Sequence, residues 1–341
     1  MKSPTADAPA PSGAAARSPH ADAAVTVTDL RRRFRSAVAL DGVSTSFRRD
    51  AVTGLLGRNG AGKTTLLSLV AGQDVPDAGS VRVFGRAPFE DASVLARTSF
   101  VRDDQRWPDD FRIGHVLDVA PAFHAGWDAA LARTLVADLR VPTRTPIKKM
   151  SRGQTSAVSI VLGLASRAPL TIFDEPYLGL DATARQLFYD HLIADHAEHP
   201  RTVVLSTHLV EESEALLEHV VVLDEGRVRL DADVDAARAL AWSVAGPAGV
   251  VDRVVGDRPV LARHGLGGLS SVTVEGRLDD DARRAAAELG AEIGPVSLQQ
   301  MVAALGASSA DAAGGATPAR DAGHAPDAPH HHPDARRGAR P

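Results

Sequence analysis

The sequence predicts an α/β protein built on a largely parallel sheet. Three observations carry this. Short, nearly all-apolar runs end abruptly in polar residues, stretches of helical spacing separate them, and a glycine-rich loop directly follows the first run. The runs are Val52 to Leu56, Leu170 to Phe173 and Thr202 to Leu205. Strands apolar on both faces are those of a sheet covered on both sides, and the carboxyl ends of such strands are where open α/β sheets bind ligands.

Composition bounds the rest. The 341 residues carry 38 basic and 43 acidic side chains, a formal net charge of −5, so a broad nucleic-acid-binding surface is disfavoured and no nucleic-acid partner is expected. With no cysteine, disulfides, thiolate metal sites, Fe–S clusters and Cys nucleophiles are excluded together. The longest apolar run is five residues, against about 20 needed to span a bilayer, and no apolar signal-like core opens the chain. A protein that stays inside the cell is expected. Residues 1–24 and 307–341, rich in Ala, Pro, Asp and Gly, read as disordered tails. His330-His331-His332 reads as solvated low-complexity sequence within the second.

In chain order, the first run leads into Gly57-Arg58-Asn59-Gly60-Ala61-Gly62-Lys63-Thr64, the pattern G-x-x-x-x-G-K-[ST]. Its glycines let backbone N–H groups turn inward around phosphates, and Leu66, Leu67, Leu69 and Val70 begin a helix whose positive end faces the same anion. Lys63 is placed to hold the β- and γ-phosphates and Thr64 to bind Mg²⁺. Lysine is otherwise rare here, one of only four in the chain. The second run delivers the adjacent carboxylates Asp174 and Glu175. Neighbours on a strand point apart, so two roles are available: Asp174 orienting Mg²⁺ and its waters, Glu175 polarising an attacking water. Upstream lie Met150-Ser151-Arg152-Gly153-Gln154 and a helical stretch to Ala165; the third run ends in Ser206-Thr207-His208. Val220 to Leu223 and Val228 to Leu230 flank Asp224-Glu225-Gly226, an edge-hairpin signal. Residues 242–305 change texture. Weak strand candidates lie near Ser243, Val260 and Val272, and a helix starts at an Asp cap near 279 and ends at Gly290.

The series of P-loop, helical segment, Ser151-Arg152-Gly153-Gln154, Asp174-Glu175, Leu178-Gly179-Leu180-Asp181 and His208 resembles the ATP-binding cassette (ABC) family over about residues 25–232. Lys63 precedes Asp174 by 111 residues and Ser151 precedes it by 23, as the family requires. The resemblance implies a P-loop NTPase cassette over 25–235, with a mostly parallel core, an antiparallel β subdomain and a helical subdomain at about 106–165. A small α+β domain follows at 242–305. Phe111, Val116, Leu117, Leu131, Leu135 and Leu139 are core candidates of the helical part.

It further implies ATP and Mg²⁺ as ligands. Gly57, Asn59, Gly60, Gly62, Lys63, Thr64, Thr65 and Asp174 contact nucleotide or metal, Phe34 stacks on adenine, and Glu175 and His208 act on the attacking water. Ser151, Gly153, Gln154 and Asp181 complete the site of a second, head-to-tail cassette. Ser151 can cap the helix that follows, and Asp181 can cap its own. Two departures stand out. The second signature glycine is Arg152, a cation unfavourable in a helix's first turn by roughly 0.3–1 kcal/mol until a γ-phosphate reverses the local field. In the Q-loop the family register falls on Asp103, whereas Gln105, two residues later, is the preferred contact to Mg²⁺ and water because a further carboxylate would alter the metal site's charge.

The expected function is that of the ATPase subunit of an ABC transporter, of exporter type. It works as a dimer on the cytoplasmic face and powers membrane-spanning subunits on separate chains. The alternative is a soluble ABC-type ATPase acting as an ATP-gated regulator without a membrane partner.

Overall fold

The computed structural model describes residues 22–305 except Ser36, Asp103 and Asp104. The expected tails, apart from the Asp22–Ala24 edge, and Asp103 therefore lie outside the described residues. Thirteen strands are described: β1 (Ala23–Phe34), β2 (Ala37–Arg48), β3 (Val52–Leu56), β4 (Ala78–Val83), β5 (Thr98–Arg102), β6 (Leu170–Asp174) and β7 (Thr202–Thr207), then β8 (His219–Asp224), β9 (Arg227–Asp233), β10 (Ala241–Pro247), β11 (Val260–Leu266), β12 (Leu269–Glu275) and β13 (Glu292–Pro295). β1 starts at Ala23, so Ala23 and Ala24 are strand residues, Ala24 being buried.

The central sheet has the order β5-β6-β7-β3-β8-β9. The first five strands are parallel, and β9 returns antiparallel through the hairpin turn Glu225-Gly226, both residues at positive φ. Every residue of β3, β6, β7 and β8 is buried, which is why these runs are apolar without alternation. Register sets the functional edge: Leu56 lies opposite Thr207, and Asp174 opposite both Ser206 and Arg102. The segments leaving β3, β5, β6 and β7 thus emerge side by side. β1, β2 and β4 form an antiparallel sheet packed over the helix Lys63–Val70, whose Leu66, Leu67, Leu69 and Val70 are fully buried.

Between β5 and β6 stand the short helices of the helical part and the helix Arg152–Ser166. Val116 and Leu135 are buried there, with Phe111, Leu117, Leu131 and Leu139 packed half-buried against them; Ile113, Ala132, Val141 and Ile147 complete that core. A buried ionic clamp holds the helix Arg152–Ser166 at its far end. Arg167 caps it in the left-handed region and reaches Asp195 at 2.9 Å and Asp128 at 3.0 Å, while Arg201 meets Asp195 at 2.6 Å. Asp128 also caps the helix Ala129–Asp138, and Asp195 lies in the helix Ala182–Glu198, so one cluster fastens three helices.

After β9 and the short helix Val234–Arg238, the chain runs strand, helix, strand, strand, helix, strand with the sheet order β11-β12-β10-β13, all neighbours antiparallel. That is the split βαβ, ferredoxin-like arrangement. Its helix Asp280–Leu289 is capped by Asp279 and stopped by Gly290 at φ 72°. The helical stretch 298–305 turns back: Leu298 joins the main core beneath the central sheet, and Met301 packs with Ala241 and Val296.

Asp195→Ala strips a buried carboxylate from two guanidinium groups, one of them 4% exposed, and is expected to cost about 3–5 kcal/mol in urea unfolding monitored by circular dichroism. A loss below about 1 kcal/mol would show that the clamp is not a stabilising element.

Candidate functional site

The site is assembled where β3, β6 and β7 end. Gly57 leaves β3 at φ 147°, and a Cβ there would sit 2.1 Å from the Leu223 carbonyl oxygen. Gly62, at φ 104°, would press a Cβ to 2.5 Å from the Ala39 carbonyl as it opens the helix Lys63–Val70. Both positions demand glycine, and the loop between them wraps a cavity of 330 Å³ lined by Asn59, Gly60, Lys63, Thr64, Glu175 and His208 among others. Gly62 and Thr65 also line it; Gly57 stands behind it. The backbone N–H groups at this helix start suit an anion.

Lys63 is buried to 6% exposure and donates from Nζ to the Gly57 carbonyl at 2.8 Å and the Arg58 carbonyl at 3.2 Å. Its Nζ lies 3.7 Å from Glu175 Oε1. Burial pulls its pKa below the ordinary lysine value, against the opposing pull of Glu175 and Asp174. Asp174 is shifted the other way. Burial raises its pKa, Glu175 adds to the rise, and the Thr64 and Ser206 hydroxyls and the Lys63 charge draw it back only in part. Asp174 Oδ1 is buried without a hydrogen-bond partner. An orphaned carboxylate oxygen beside a threonine hydroxyl fits the hard, oxygen-seeking shell of Mg²⁺.

Glu175 occupies the left-handed region at φ 50°, an unusual conformation for a residue with a Cβ, which turns the chain sharply off β6. Its N–H donates to the Ser206 carbonyl at 3.2 Å. Its Oε2 lies 2.6 Å from His208 Nδ1, so the two residues expected to act on one water are in contact across the strand ends. Sequence reading passed over Tyr177, which is buried and whose hydroxyl reaches Glu175 Oε2 at 2.7 Å.

The signature segment and the loop around Asp181 line a separate depression of 420 Å³ with Ser151, Gly153, Gln154, Gly179 and Leu180. Ser151 accepts from the Gln154 N–H while Gln154 Oε1 accepts from the Ser151 N–H, a capping box that opens the helix Arg152–Ser166. Arg152 is exposed in its first turn. Gly153 has a packing reason beyond anion binding: a Cβ there would lie 2.2 Å from the Gly179 carbonyl. Asp181 accepts from the Ala184 N–H at 2.8 Å and caps the helix Ala182–Glu198. Within one chain these residues do not share the cavity of Lys63. Phe34, 47% exposed with the Arg32 guanidinium 4.9 Å over its ring, does not line that cavity either. Nor does the half-buried Gln105, on the loop after β5.

A protein-family model described as ABC transporter matches residues 40–178. The aliphatic sulfonates import ATP-binding protein SsuB 1 of Nocardia farcinica is 34% identical over 216 residues, which cover 63% of this chain and 84% of that one. The chain belongs to the ATP-binding subunits of ABC transporters. The Nod factor export ATP-binding protein I of Ralstonia nicotianae is 32% identical over 210 residues, covering 60% of this chain and 65% of that relative. Among solved structures, an ATP-binding subunit of an ABC transporter superposes with TM-score 0.56 at 24% identity, over 63% of this chain and 91% of the other. A dimeric bacterial ABC transporter cassette does so with TM-score 0.55 at 19% identity, over 61% and 98%. The fold is therefore the α/β P-loop cassette, and the chain is an ATP-binding ATPase subunit of this family. The ferredoxin-like unit lies outside the residues that the family model matches. Among the described residues, no helix of this cassette is long and apolar enough to cross a membrane.

A raised Asp174 pKa fixes the sign of a stability change. Folding stability is fully present below the unfolded carboxylate value and is lost as pH rises through the higher folded value, so ionised Asp174 is a net cost at neutral pH. Asp174→Asn is expected to melt about 2–4 °C above wild type at pH 7, with the gap closing toward pH 4. Equal melting temperatures across that range would show that Asp174 carries no burial penalty.

Proposed function

We propose that this chain hydrolyses MgATP to drive an export system whose membrane-spanning subunits are separate polypeptides. The observation that carries the reading is the convergence of Lys63, Thr64, Glu175 and His208 around one cavity, with the buried Asp174 next to Glu175 at the end of β6. Lys63 and the loop amides bind the β- and γ-phosphates. Thr64 and Asp174, with Gln105 as a further contact, would hold Mg²⁺, which would supply positive charge beside the transferring phosphoryl group. Glu175, with His208 at 2.6 Å, orients the attacking water and takes its proton. Phe34 supports the adenine.

Ser151, Gly153 and Gln154 lie outside the Lys63 cavity, which suits a head-to-tail dimer in which each signature segment and Asp181 close the partner's nucleotide site. Loss of the γ-phosphate removes the anion that binds the two together, and contact with the membrane subunits converts that opening into transport. Such a chain sits at the inner face of the membrane through its partners. Export is supported by the Nod factor export relatives; the sulfonate import relatives favour the inward reading.

Glu175→Gln is expected to keep ATP binding, to lower hydrolysis by about 10²-fold or more, and to accumulate an ATP-dependent dimer on gel filtration. Undiminished turnover would remove Glu175 from catalysis. In inverted vesicles from cells carrying this chain and its membrane partner, ATP added outside is expected to drive substrate inward. ATP-dependent loss of preloaded substrate would mean import.

A further inference from the structure

Tyr177 has no role in the reading above, yet its hydroxyl stands where the ends of β6 and β7 meet. Besides Glu175 Oε2 at 2.7 Å, it meets Thr207 Oγ1 at 2.5 Å and the His208 backbone N–H at 3.1 Å. The ring is 2% exposed and packs edge-on against the His208 imidazole, with centroids 5.8 Å apart. A phenol has one proton to give and two lone pairs to receive with. The His208 N–H can only donate, and the ionised Glu175 carboxylate can only accept. Thr207 Oγ1 accepts from the Leu209 N–H at 2.8 Å, which frees the threonine proton for the tyrosine oxygen. One arrangement satisfies every group: Leu209 N–H to Thr207, Thr207 O–H to Tyr177, His208 N–H to Tyr177, and Tyr177 O–H to Glu175.

We propose that Tyr177 is a positioning residue for ATP hydrolysis, joining the Glu175 carboxylate to the backbone that carries His208 so that the two move as one unit. Burial, reinforced by the Glu175 charge, raises the tyrosine pKa, so the phenol keeps the proton that it donates. Glu175 needs such a brace. Its left-handed backbone fixes where the side chain starts but not its rotamer, and the other side chains that meet it among the described residues, His208 Nδ1 at 2.6 Å from Oε2 and the Lys63 ammonium at 3.7 Å from Oε1, are themselves groups proposed to meet the nucleotide or its water. The inference rests on Glu175 being the residue that polarises the water.

The test compares wild type, Tyr177→Phe, Glu175→Gln and the double variant by single-turnover hydrolysis of γ-labelled ATP, with nucleotide affinity measured separately. Tyr177→Phe keeps the ring and removes one oxygen. It is expected to lower the hydrolysis rate about tenfold, the worth of one hydrogen bond to a charged group, with ATP affinity within about twofold of wild type. In the Glu175→Gln background the same substitution is expected to change the rate by less than about twofold, because the group it orients is gone. Thr207→Val, one link earlier, is expected to slow hydrolysis about threefold. A wild-type rate in Tyr177→Phe overturns the proposal, as does a tenfold loss that persists in the Glu175→Gln background. A wild-type rate in Glu175→Gln overturns instead the assignment of Glu175 on which the proposal rests.

Discussion

The parallel register of β3, β6 and β7 is the constraint on which the rest of the molecule depends. Because Leu56 lies level with Thr207 and Asp174 with the residue before it, Ser206, a phosphate loop, two carboxylates and a histidine leave the sheet within hydrogen-bonding reach. Parallel strands need crossovers, and crossovers cover both faces of the sheet, which leaves the strand interiors buried and mostly apolar. The same rule that buries Leu170–Asp174 therefore forces polar chemistry out to the strand ends. β5 extends the edge by one strand, with Arg102 opposite Asp174.

That edge is costly to hold. Lys63 and Asp174 are both shifted toward their neutral forms by burial, and each is returned only in part by its neighbours. Asp174 Oδ1 is buried without a hydrogen-bond partner. A scaffold selected for stability alone would fill these positions with apolar groups. In the proposed function a phosphate at Lys63 and a cation at Asp174 would offset that cost, which is the sense in which the site would be preorganised for a metal-bound polyphosphate.

Much of this was legible in the sequence, for a physical reason. The phosphate loop, the Asp174-Glu175 pair, the edge hairpin and the caps at Ser151, Asp181 and Asp279 depend on local spacing and on the conformations that particular residue types favour. What escaped depends on contacts through space. Tyr177 stands two residues from Glu175 and reads as one more aromatic; only the left-handed turn at Glu175 reveals that its hydroxyl returns to the site. Gly153 reads as an anion-binding glycine, whereas the Gly179 carbonyl packed against it supplies an independent demand. The Asp195 clamp draws Asp128, Arg167 and Arg201 from distant segments, and no local pattern marks them as partners. Phe34 and Gln105 stand outside the cavity that Lys63 lines, and their expected roles rest on the family register alone.

The segment from Glu175 to Asp181 ties these parts into one device. It begins at the carboxylate, passes the Tyr177 hydroxyl, gives the Leu178 carbonyl to Ser156 Oγ at 2.7 Å, meets Gly153 at Gly179, and ends as the cap of the helix Ala182–Glu198. Ser156 and Gly153 belong to the helix that carries the signature segment at its start, and the Asp195 clamp anchors that helix at its other end. Seven residues of backbone thus join the Glu175 carboxylate to the surface proposed to meet a second cassette, and each of the contacts along them is a hydrogen bond or a close packing contact made within this chain.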